Sequence, residues 1–454
     1  MTTRPIPGAP RPYEFPDVAR TALPNGVRVV VAPVRRLPLV TVLALVDAGA
    51  STDPPGADGA AALTARTLAE GTATYDGATL AELFERLGTS FEAAADWDST
   101  VARLTVTPDR LDAAFALFAD VLRAPTFPDA DVLRLRDERL ADLQHQLAEP
   151  RGLADRRFTG ALYAPSSRYA RPAGGGARAV GSLTASVTRA FHTARYGPTT
   201  TTLIVVGDIT PEAAHALVVE HFGDWRSTAE TAPPIAAVAA GGRRVVIVAK
   251  PDAPQTELRI GHVGVPRSHP DHLSIVVMNA ILGGLFSSRI NLNLRERHAF
   301  TYGASSGYDW RRAAGPFVVS TAVKSEVTDR AVEEILREFE AIRETAPSAD
   351  ELALATDYLA GVFPIRYETT AAVASAIAGA TVFGLAEDWF RTYRDRVRSV
   401  SSTEVLAAAR AHVDPSRALV VAIGDPAVIE PLLGRLDLGP MVVQPATYDP
   451  TETE

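Results

Sequence analysis

The sequence repeats itself at a fixed interval of 217 residues. The segment "PTTTTLIVVGD" begins at Pro198, "PSRALVVAIGD" begins at Pro415, and each has the pattern of a β-branched strand that ends at Gly-Asp. The shorter stretches "VVVA" at 29–32 and "VIVA" at 246–249 stand at the same interval. Because both ends of the unit keep one spacing, the chain is predicted to consist of two homologous halves.

A stretch of small residues and prolines separates the two halves. Residues 226–242, "RSTAETAPPIAAVAAGG", have the composition of a linker. We therefore expect a flexible N-terminal arm at 1–12, a first domain at 13–225, a second domain at 243–440 and a tail at 441–454.

The order of elements within each half indicates the fold class. In the first half, strands are predicted at 27–33, 40–47 and 200–206, with amphipathic helices between the second and the third. Because strict β-α-β alternation is rare in this order, the pattern favours an α+β fold over a doubly wound sheet. We expect two homologous α/β-roll domains, each with an antiparallel sheet covered by helices.

The charge and the cysteine content exclude several classes of function. The 454 residues carry 45 basic and 54 acidic side chains, and the net charge of −9 argues against nucleic acid or a membrane surface as a partner. No cysteine is present, which excludes disulfides, thiolate zinc sites and cysteine nucleophiles. Neither a signal-peptide pattern nor a run of about 20 apolar residues is found in the sequence, and we expect a cytoplasmic protein.

A series of segments carries a resemblance to a known family. The first half contains "GVRVVVAP", "GASTDPPGADG", "GTATYDGATLAELFERLGTSFEAAADWDST", "VLRAPTFPDADVLRLRDERL" and "FHTARYGPTTTTLIVVGDI". The second half contains "ILGGLFSSRINLNLRERHAFTYGASSGYDWRRAAGPFVVS". In order and spacing, the chain resembles the insulinase/pitrilysin metallopeptidase family, in its mitochondrial-processing-peptidase-like branch, over nearly all of residues 20–435.

The resemblance implies where a catalytic zinc motif would stand. Active members place an inverted motif, H-x-x-E-H, in the segment that corresponds to "GAAALTARTLAEGT". There Ala62 and Arg66 stand in place of the two histidines, Ala65 in place of the glutamate, and Asp142 near the place of the third ligand. Zinc needs lone pairs from imidazole or carboxylate groups, and hydrolysis needs a base, so a single carboxylate cannot hold the metal. The first half is therefore expected to bind no catalytic zinc.

Arg66 raises the question of what replaces the metal. Its side chain is expected on the helix face that would carry the zinc ligands, opposite Asp142 and Glu138 on the helix of the third ligand. If the site is closed, we expect an ion pair with one of these carboxylates, because an unpaired buried charge costs several kcal/mol. The alternative is that Arg66 points into solvent.

The histidines offer no second motif of this kind. The nearest pairs are His269 with His272 and His215 with His221, and neither has the i, i+4 spacing with a partnered glutamate. We expect these side chains to be structural or to face solvent, and no metal site is predicted in this chain.

The second half retains two residues that the resemblance connects with catalysis. In heterodimeric members one subunit carries zinc and the other contributes an arginine and a tyrosine, to which Arg295 and Tyr302 in "LRERHAFTY" correspond. A guanidinium and a phenol can donate hydrogen bonds to a peptide carbonyl and to the oxyanion that develops from it. The structural alternative is that arginine is common in the last turn of a helix and tyrosine is common in strands.

Two classes of function follow from these observations. The first is a catalytically incomplete subunit of a heteromeric zinc metallopeptidase, which pairs with a zinc-bearing homologue, acts on peptides and lends Arg295 and Tyr302 to the partner's site. This subunit would need no cofactor of its own and would not cleave peptides alone. The second is a non-enzymatic scaffold or peptide-binding protein of the same fold. An independent hydrolase with rearranged ligands ranks below both.

Overall fold

The computed structural model describes residues 12–231 and 233–447 of the chain. The predicted N-terminal arm, except for Pro12, and residues 448–454 of the predicted tail lie outside the described residues. The described residues form two domains, each built on a six-stranded sheet.

The first domain contains the strands predicted at 27–33, 40–47 and 200–206, together with three further strands, of which two lie at the edges of its sheet. The strands are β1 Ala19–Ala22, β2 Arg28–Pro33, β3 Val40–Val46, β4 Glu92–Ala95, β5 Thr100–Val106 and β6 Thr201–Gly207. The helices are α1 Ala60–Thr67, α2 Gly77–Arg86, α3 Leu111–Arg123, α4 Asp129–Ala148, α5 Pro150–Leu162, α6 Ala177–Gly181, α7 Ala185–Arg195 and α8 Pro211–Phe222.

The second domain repeats this pattern. Its strands are β7 Arg244–Ala249, β8 Gln255–Val263, β9 Ala304–Tyr308, β10 Pro316–Lys324, β11 Leu419–Gly424 and β12 Met441–Pro445. Its helices are α9 His272–Asn279, α10 Arg289–Asn291, α11 Thr328–Glu344, α12 Ala349–Arg366, α13 Thr370–Val382, α14 Trp389–Ser399, α15 Ser402–His412 and α16 Pro426–Leu433. Two wider, π-helical turns at Ala280–Gly284 and Leu292–Arg297 follow α9 and α10.

The two sheets have equivalent strand orders, which confirms the internal repeat. The first sheet runs β1-β2-β6-β3-β5-β4 and the second runs β12-β7-β11-β8-β10-β9. The repeated sequences occupy equivalent places, since "VVVA" lies in β2, "VIVA" lies in β7, and the two Gly-Asp strands are β6 and β11. The chain therefore has the predicted α+β fold with two homologous domains.

The prediction of antiparallel sheets is corrected in one respect, because both sheets are mixed. β6 runs parallel to β2 and β11 runs parallel to β7, whereas β3 and β8 join them in antiparallel orientation. A parallel neighbour requires a crossover connection, which the helices between β2 and β6 and between β7 and β11 provide. The predicted tail also contributes to the sheet, since β12 pairs in parallel with β7.

Each sheet is covered on one face by a helix from the other half of the chain. In β2, Val29 and Val31 belong to the core formed with the first domain's own helices. Val30 points to the opposite face and belongs to an apolar cluster with Val373 and Ile377 of α13. Because both faces are covered, the central strands are continuous apolar runs without polar alternation.

In the same way, a helix from the first half covers one face of the second domain's sheet. Ile247 of β7 belongs to that domain's own core, whereas Val246 clusters with Leu153 and Phe158 of α5 from the first half. The two halves thus depend on each other for the cover of their sheets.

One segment has the length and hydropathy of a membrane span. This segment is His272–Arg297, and 56% of its most apolar 18-residue stretch is buried inside the protein. The helical path is also interrupted at residues 285–288. A spanning helix would be continuous, since every backbone group in lipid must be paired within the helix. The segment is therefore a core element of the second domain.

Candidate functional site

The start of α1 is fixed by a buried ion-pair network. Both carboxylate oxygens of Asp53 accept backbone hydrogen bonds, from the N–H groups of Gly59 and Ala61, each at 2.8 Å. Arg168 Nη2 lies 2.7 Å from Asp53 Oδ2, and both side chains are buried. Burial raises the pKa of Asp53, and the charge of Arg168 opposes this shift. The network holds the N-terminus of α1 in one orientation.

Glycine is required where α1 begins. Gly59 has a φ of +100°, and a Cβ on it would lie 2.8 Å from the carbonyl oxygen of Gly174. The glycine-rich loop around Gly174 is therefore packed against the first turn of α1. A larger residue at position 59 would displace this loop and move the face of α1 that carries Ala62 and Arg66.

The positions of the degenerate zinc motif share one face of α1, opposite α4. Ala62 is half-buried, Ala65 is buried and Arg66 is exposed. Arg66 Nη1 lies 3.5 Å from Asp142 Oδ2, and Nη2 lies 3.5 Å from Glu138 Oε2. The guanidinium of Arg66 thus contacts both carboxylates. The site is open to solvent, since the Arg66 side chain is 35% exposed.

These residues do not fit a zinc ion. The methyl groups of Ala62 and Ala65 have no lone pairs, and the Arg66 guanidinium keeps its charge at all ordinary pH values. That charge also occupies the side of the site where Asp142 would act as a ligand. Asp142 and Glu138 offer only carboxylates from a single helix, too few for the tetrahedral set that zinc takes.

A cavity of about 590 Å³ lies between α4, α5 and the loop at 170–173, and neither α1 nor Asp142 belongs to its lining. Its lining includes Trp97, Arg139 and Arg311, which come from three distant parts of the chain. Burial lowers the pKa of Arg139, while the nearby Asp142 raises it. The Arg311 guanidinium lies 4.3 Å from the centre of the Trp97 ring. The cavity thus joins an aromatic surface to side chains of both charges, since Glu149 and Asp155 also line it.

Arg295 and Tyr302 are presented by the second domain. Arg295 lies in the π-helical turn Leu292–Arg297 rather than at the end of an α-helix, with its guanidinium carbon 4.5 Å from the centre of the Phe286 ring. Its Nε lies 3.7 Å from a carboxylate oxygen of Glu296. Tyr302 stands in the loop two residues before β9, and its side chain is 96% exposed. Phe286 is also exposed, so its contact with the Arg295 guanidinium lies at the surface of the protein.

The segment that carries Arg295 is held against the sheet by close backbone packing. A Cβ on Gly283 would lie 2.4 Å from the Ser306 hydroxyl oxygen of β9, so only glycine fits there. Asn291 donates to the Phe286 carbonyl at 2.6 Å and accepts from the Ala304 backbone N–H at 3.0 Å. These contacts fix the loop that contains Arg295 relative to the strand that follows Tyr302.

Within the chain, the two sets of predicted residues are kept apart. The described contacts of Arg66 are with α4 of the first domain, and those of Arg295 are with Phe286 and Glu296 of the second. The structure therefore brings Arg66 and Asp142 together but does not bring Arg295 or Tyr302 into contact with them.

Two clusters elsewhere could offer ligands to a metal ion, and the sequence had not indicated either. His269, Asp271 and His412 place one ligand atom each within 4.8 Å of the others, and so do Asp112, Glu220 and His221. In the first cluster, His412 Nε2 lies 2.8 Å from Asp271 Oδ2, across an interval of 141 residues. His269 Nδ1 accepts the backbone N–H of Asp271 at 3.2 Å, so it is already engaged. No local spacing could have revealed a pair so distant in sequence.

Family models match most of the chain. Residues 29–168 match the model described as Insulinase (Peptidase family M16), and residues 182–359 match the one described as Peptidase M16 inactive domain. The first match includes Ala62, Ala65 and Arg66, and the second includes Arg295 and Tyr302.

Curated relatives have names that agree with these matches. An uncharacterized zinc protease of Mycobacterium leprae is 27% identical over 67% of this chain and 69% of its own length. One from Streptomyces coelicolor is 24% identical over 87% of this chain and 86% of its own. The probable mitochondrial-processing peptidase subunit beta of Arabidopsis thaliana is 24% identical over 59% of this chain and 51% of its own.

Solved structures share the whole two-domain fold. A peptidase M16 inactive domain from Pseudomonas fluorescens superposes with a TM-score of 0.84 at 26% identity, covering 90% of this chain and 98% of that one. A protease from Helicobacter pylori gives 0.84 at 19% identity, with 90% and 100% covered. A chain of complex III2 from Candida albicans gives 0.76 at 17% identity, with 93% and 98% covered. The last two show likeness of fold alone.

Proposed function

The chain belongs to the insulinase family, peptidase family M16, and on this premise we propose that it is the catalytically incomplete subunit of a heteromeric zinc metallopeptidase that acts on peptides. The frame of the family's zinc helix is intact, but Ala62, Ala65 and Arg66 provide neither the ligands nor the base. The metal and the base are therefore contributed by a homologous partner that carries H-x-x-E-H.

The exposure of Tyr302 is the single observation that carries this proposal. A tyrosine that is 96% exposed contributes almost no apolar burial to the folding of its own chain. Arg295 stands seven residues earlier, with its guanidinium against the ring of Phe286 and its side chain 35% exposed. Its Nη1 is buried and has no hydrogen-bond partner among the described residues, so it remains a donor that its own chain does not use. This arrangement suits a pair of donors that act on something outside the chain.

The chemistry of the pair is that of an oxyanion site. Arg295 and Tyr302 donate hydrogen bonds to the carbonyl of a peptide held in the partner's site, and these bonds strengthen as negative charge develops on the oxygen. A donor of this kind contributes about 10²–10³ in rate. This subunit needs no cofactor for that role.

A peptide can also contact the first domain by strand addition. β4 is the last strand of its sheet, its residues alternate between exposed and half-buried, and it lies beside α1. An exposed edge strand offers unpaired backbone groups to an extended peptide. The partner's equivalent edge would hold the scissile bond, while β4 would guide another part of the substrate.

The alternative is a non-enzymatic scaffold or peptide-binding protein of the same fold. The fold likeness to a chain of complex III2 from Candida albicans supports this alternative, because one fold can serve several functions. The shared-site proposal is preferred because Tyr302 is exposed and Arg295 keeps a donor without a hydrogen-bond partner among the described residues.

Co-expression with an H-x-x-E-H homologue from the same genome tests the proposal. The purified complex should cleave unfolded peptides, and Arg295→Ala and Tyr302→Phe should lower kcat by at least tenfold without dissociating the complex. Arg297→Ala is the matched control, because Arg297 is an exposed arginine in the same helical turn. Unchanged cleavage in both Arg295→Ala and Tyr302→Phe would rule out the shared site and favour the scaffold.

A further inference from the structure

A second cavity, of about 400 Å³, opens in the second domain between α9, α12, α14 and the end of β9. It lies on the opposite half of the chain from α1, and its lining includes neither Arg295 nor Tyr302. Its volume is in the range of sites for small molecules.

The walls of this cavity are aromatic and ordered. Tyr308 stacks on Trp310 with ring centres 5.1 Å apart and planes inclined by 14°. Phe363 of α12 stacks on Tyr393 of α14 at 4.8 Å and 18°. Flat ring surfaces in the lining favour a planar apolar group as ligand.

The charges in the lining are all positive. Arg267 and Arg366 are its permanently charged residues, and the described lining contains neither aspartate nor glutamate. The guanidinium carbon of Arg267 lies 4.7 Å from the centre of the Trp389 ring. No carboxylate among the described residues lies within ion-pair distance of it, and burial lowers the pKa of Arg267 to about 10. A half-buried guanidinium with no acid beside it is a site for an anion.

A buried histidine adds a polar group to the floor. His272 is 7% exposed, it contacts Trp310 edge-on at 4.3 Å, and its Nδ1 has no hydrogen-bond partner among the described residues. Burial and the charges of Arg267 and Arg396 lower the pKa of His272 to about 3, so the ring is neutral near pH 7. A buried polar atom without a partner is costly, and a ligand that bonds to it would remove that cost.

The cavity is open at one end and closed at the other. Tyr358 at the rim is 49% exposed and Arg366 is exposed, whereas Phe363 and His272 at the floor are buried. A ligand can therefore enter from solvent and place its ring against the aromatic walls with its charge near Arg267.

We propose that this cavity binds a ligand in which an aromatic ring is joined to a carboxylate by a short linker. The walls take the ring, Arg267 takes the carboxylate in a bidentate geometry, and His272 bonds to a further polar atom of the ligand. Two sources share this chemistry, namely a free arylalkanoic acid and the C-terminal aromatic residue of a peptide. A cationic ligand is disfavoured by the two arginines.

Calorimetric titration of the isolated chain tests the proposal on the wild-type protein. The probes are 3-phenylpropanoate, N-acetylphenylalanine and N-acetylphenylalaninamide, which lacks the carboxylate. We expect at least one of the two acids to bind, and the amide to bind at least tenfold more weakly than that acid. Tighter binding of N-acetylphenylalanine assigns the site to peptide C-termini, and tighter binding of 3-phenylpropanoate assigns it to free acids. Equal affinity for acid and amide, or no binding of either acid at millimolar concentration, would overturn the proposal.

Two arginine variants locate the binding. Arg267→Met should weaken the acid that binds by at least tenfold. Arg396→Met should change its affinity by less than about twofold, because Arg396 stacks on the same Trp389 ring, at 5.0 Å, without lining the cavity. Melting temperatures check that both variants are folded, and equal affinities for the two variants would contradict the assignment. Since no partner subunit takes part, this test can fail or succeed independently of the shared-site function.

Discussion

Arg66 Nη1 lies 3.5 Å from Asp142 Oδ2, across the gap between α1 and α4. The family resemblance assigns these residues to the places of two zinc ligands, so a salt bridge joins the two helices where a metal would join them. The side chains are 35% and 55% exposed, and a pair of that exposure contributes at most about 1 kcal/mol. The geometry of the site is therefore kept by the packing of the helices and by the Asp53 network, with only a small contribution from the pair.

If the frame is intact, restoring ligands should restore metal binding. The double variant Ala62→His, Arg66→His places two imidazoles at i and i+4 on one face of α1, opposite Asp142. We expect it to retain stoichiometric zinc after dialysis and to melt at a higher temperature with zinc than without it. Metal analysis and calorimetry measure both effects.

The single variant Ala62→His serves as the control for this experiment. It retains Arg66, whose charge repels a cation, so it should lose zinc on dialysis. Loss of zinc by the double variant as well would mean that α1 and α4 no longer stand at the separation a shared metal requires.

The sequence predicted the part of the site that depends on local spacing. Positions 62, 65 and 66 follow from one continuous block, and the approach of Arg66 to α4 follows from helical periodicity. The sequence could not predict that α5 covers the sheet of the second domain and α13 the sheet of the first. A continuous apolar strand indicates that both faces of a sheet are covered, but it does not indicate which helix covers them. The cavity around Arg267 was missed for a related reason, since its walls come from segments with no common motif.

The Asp53 network should be the most sensitive part of the site frame. The side chain of Asp53 is fully buried and accepts hydrogen bonds from two backbone N–H groups and from Arg168, so Asp53→Ala should lower the free energy of unfolding by about 3 kcal/mol. Urea denaturation measures the loss. Asp76→Ala is the control, because Asp76 is the N-cap of α2 and accepts the backbone N–H of Thr79, but it is exposed and is not paired with any arginine among the described residues. A loss no larger than that of the control would show that the network does not hold α1.

Because each half supplies a helix that covers the other half's sheet, the stabilities of the two halves should be coupled. Phe158 of α5 is 3% exposed and packs in the cluster that covers β7 and β11, so Phe158→Ala should cost about 3–5 kcal/mol. Although the substitution lies in the first half, hydrogen exchange should accelerate in β11 of the second. Thr159→Ala, at a half-exposed neighbouring position, should leave the exchange of β11 unchanged. Faster exchange confined to the first domain would contradict the coupling.

Substitution of Tyr302 should lower activity without lowering stability. Because its side chain is 96% exposed, Tyr302→Phe should leave the melting temperature of the isolated chain unchanged. In a complex with a zinc-bearing homologue the same change removes one donor, and kcat should fall by about 10²–10³ while KM changes little. A fall in melting temperature that accompanies the loss of rate would instead indicate a structural role for the tyrosine.

His192 should make the protein sensitive to mild acid. Its Nε2 donates to the Leu122 carbonyl at 2.9 Å, between α7 and α3, and burial lowers its pKa to about 4. In the unfolded chain the pKa is about 6.5, so between pH 6.5 and 4 the unfolded state binds more protons than the folded state. The contribution of neutral His192 to the free energy of unfolding should therefore be fully present above pH 6.5. It should fall by roughly 3 kcal/mol as the pH drops to 4. His272, with a pKa lowered to about 3, and His262, whose pKa is also lowered by burial, act in the same direction, so the contribution of His192 must be separated from theirs. Urea denaturation of wild type and His192→Gln across this range does so, because glutamine keeps a donor but does not titrate. Parallel pH profiles for the two proteins would show that His192 is already free to protonate in the folded state.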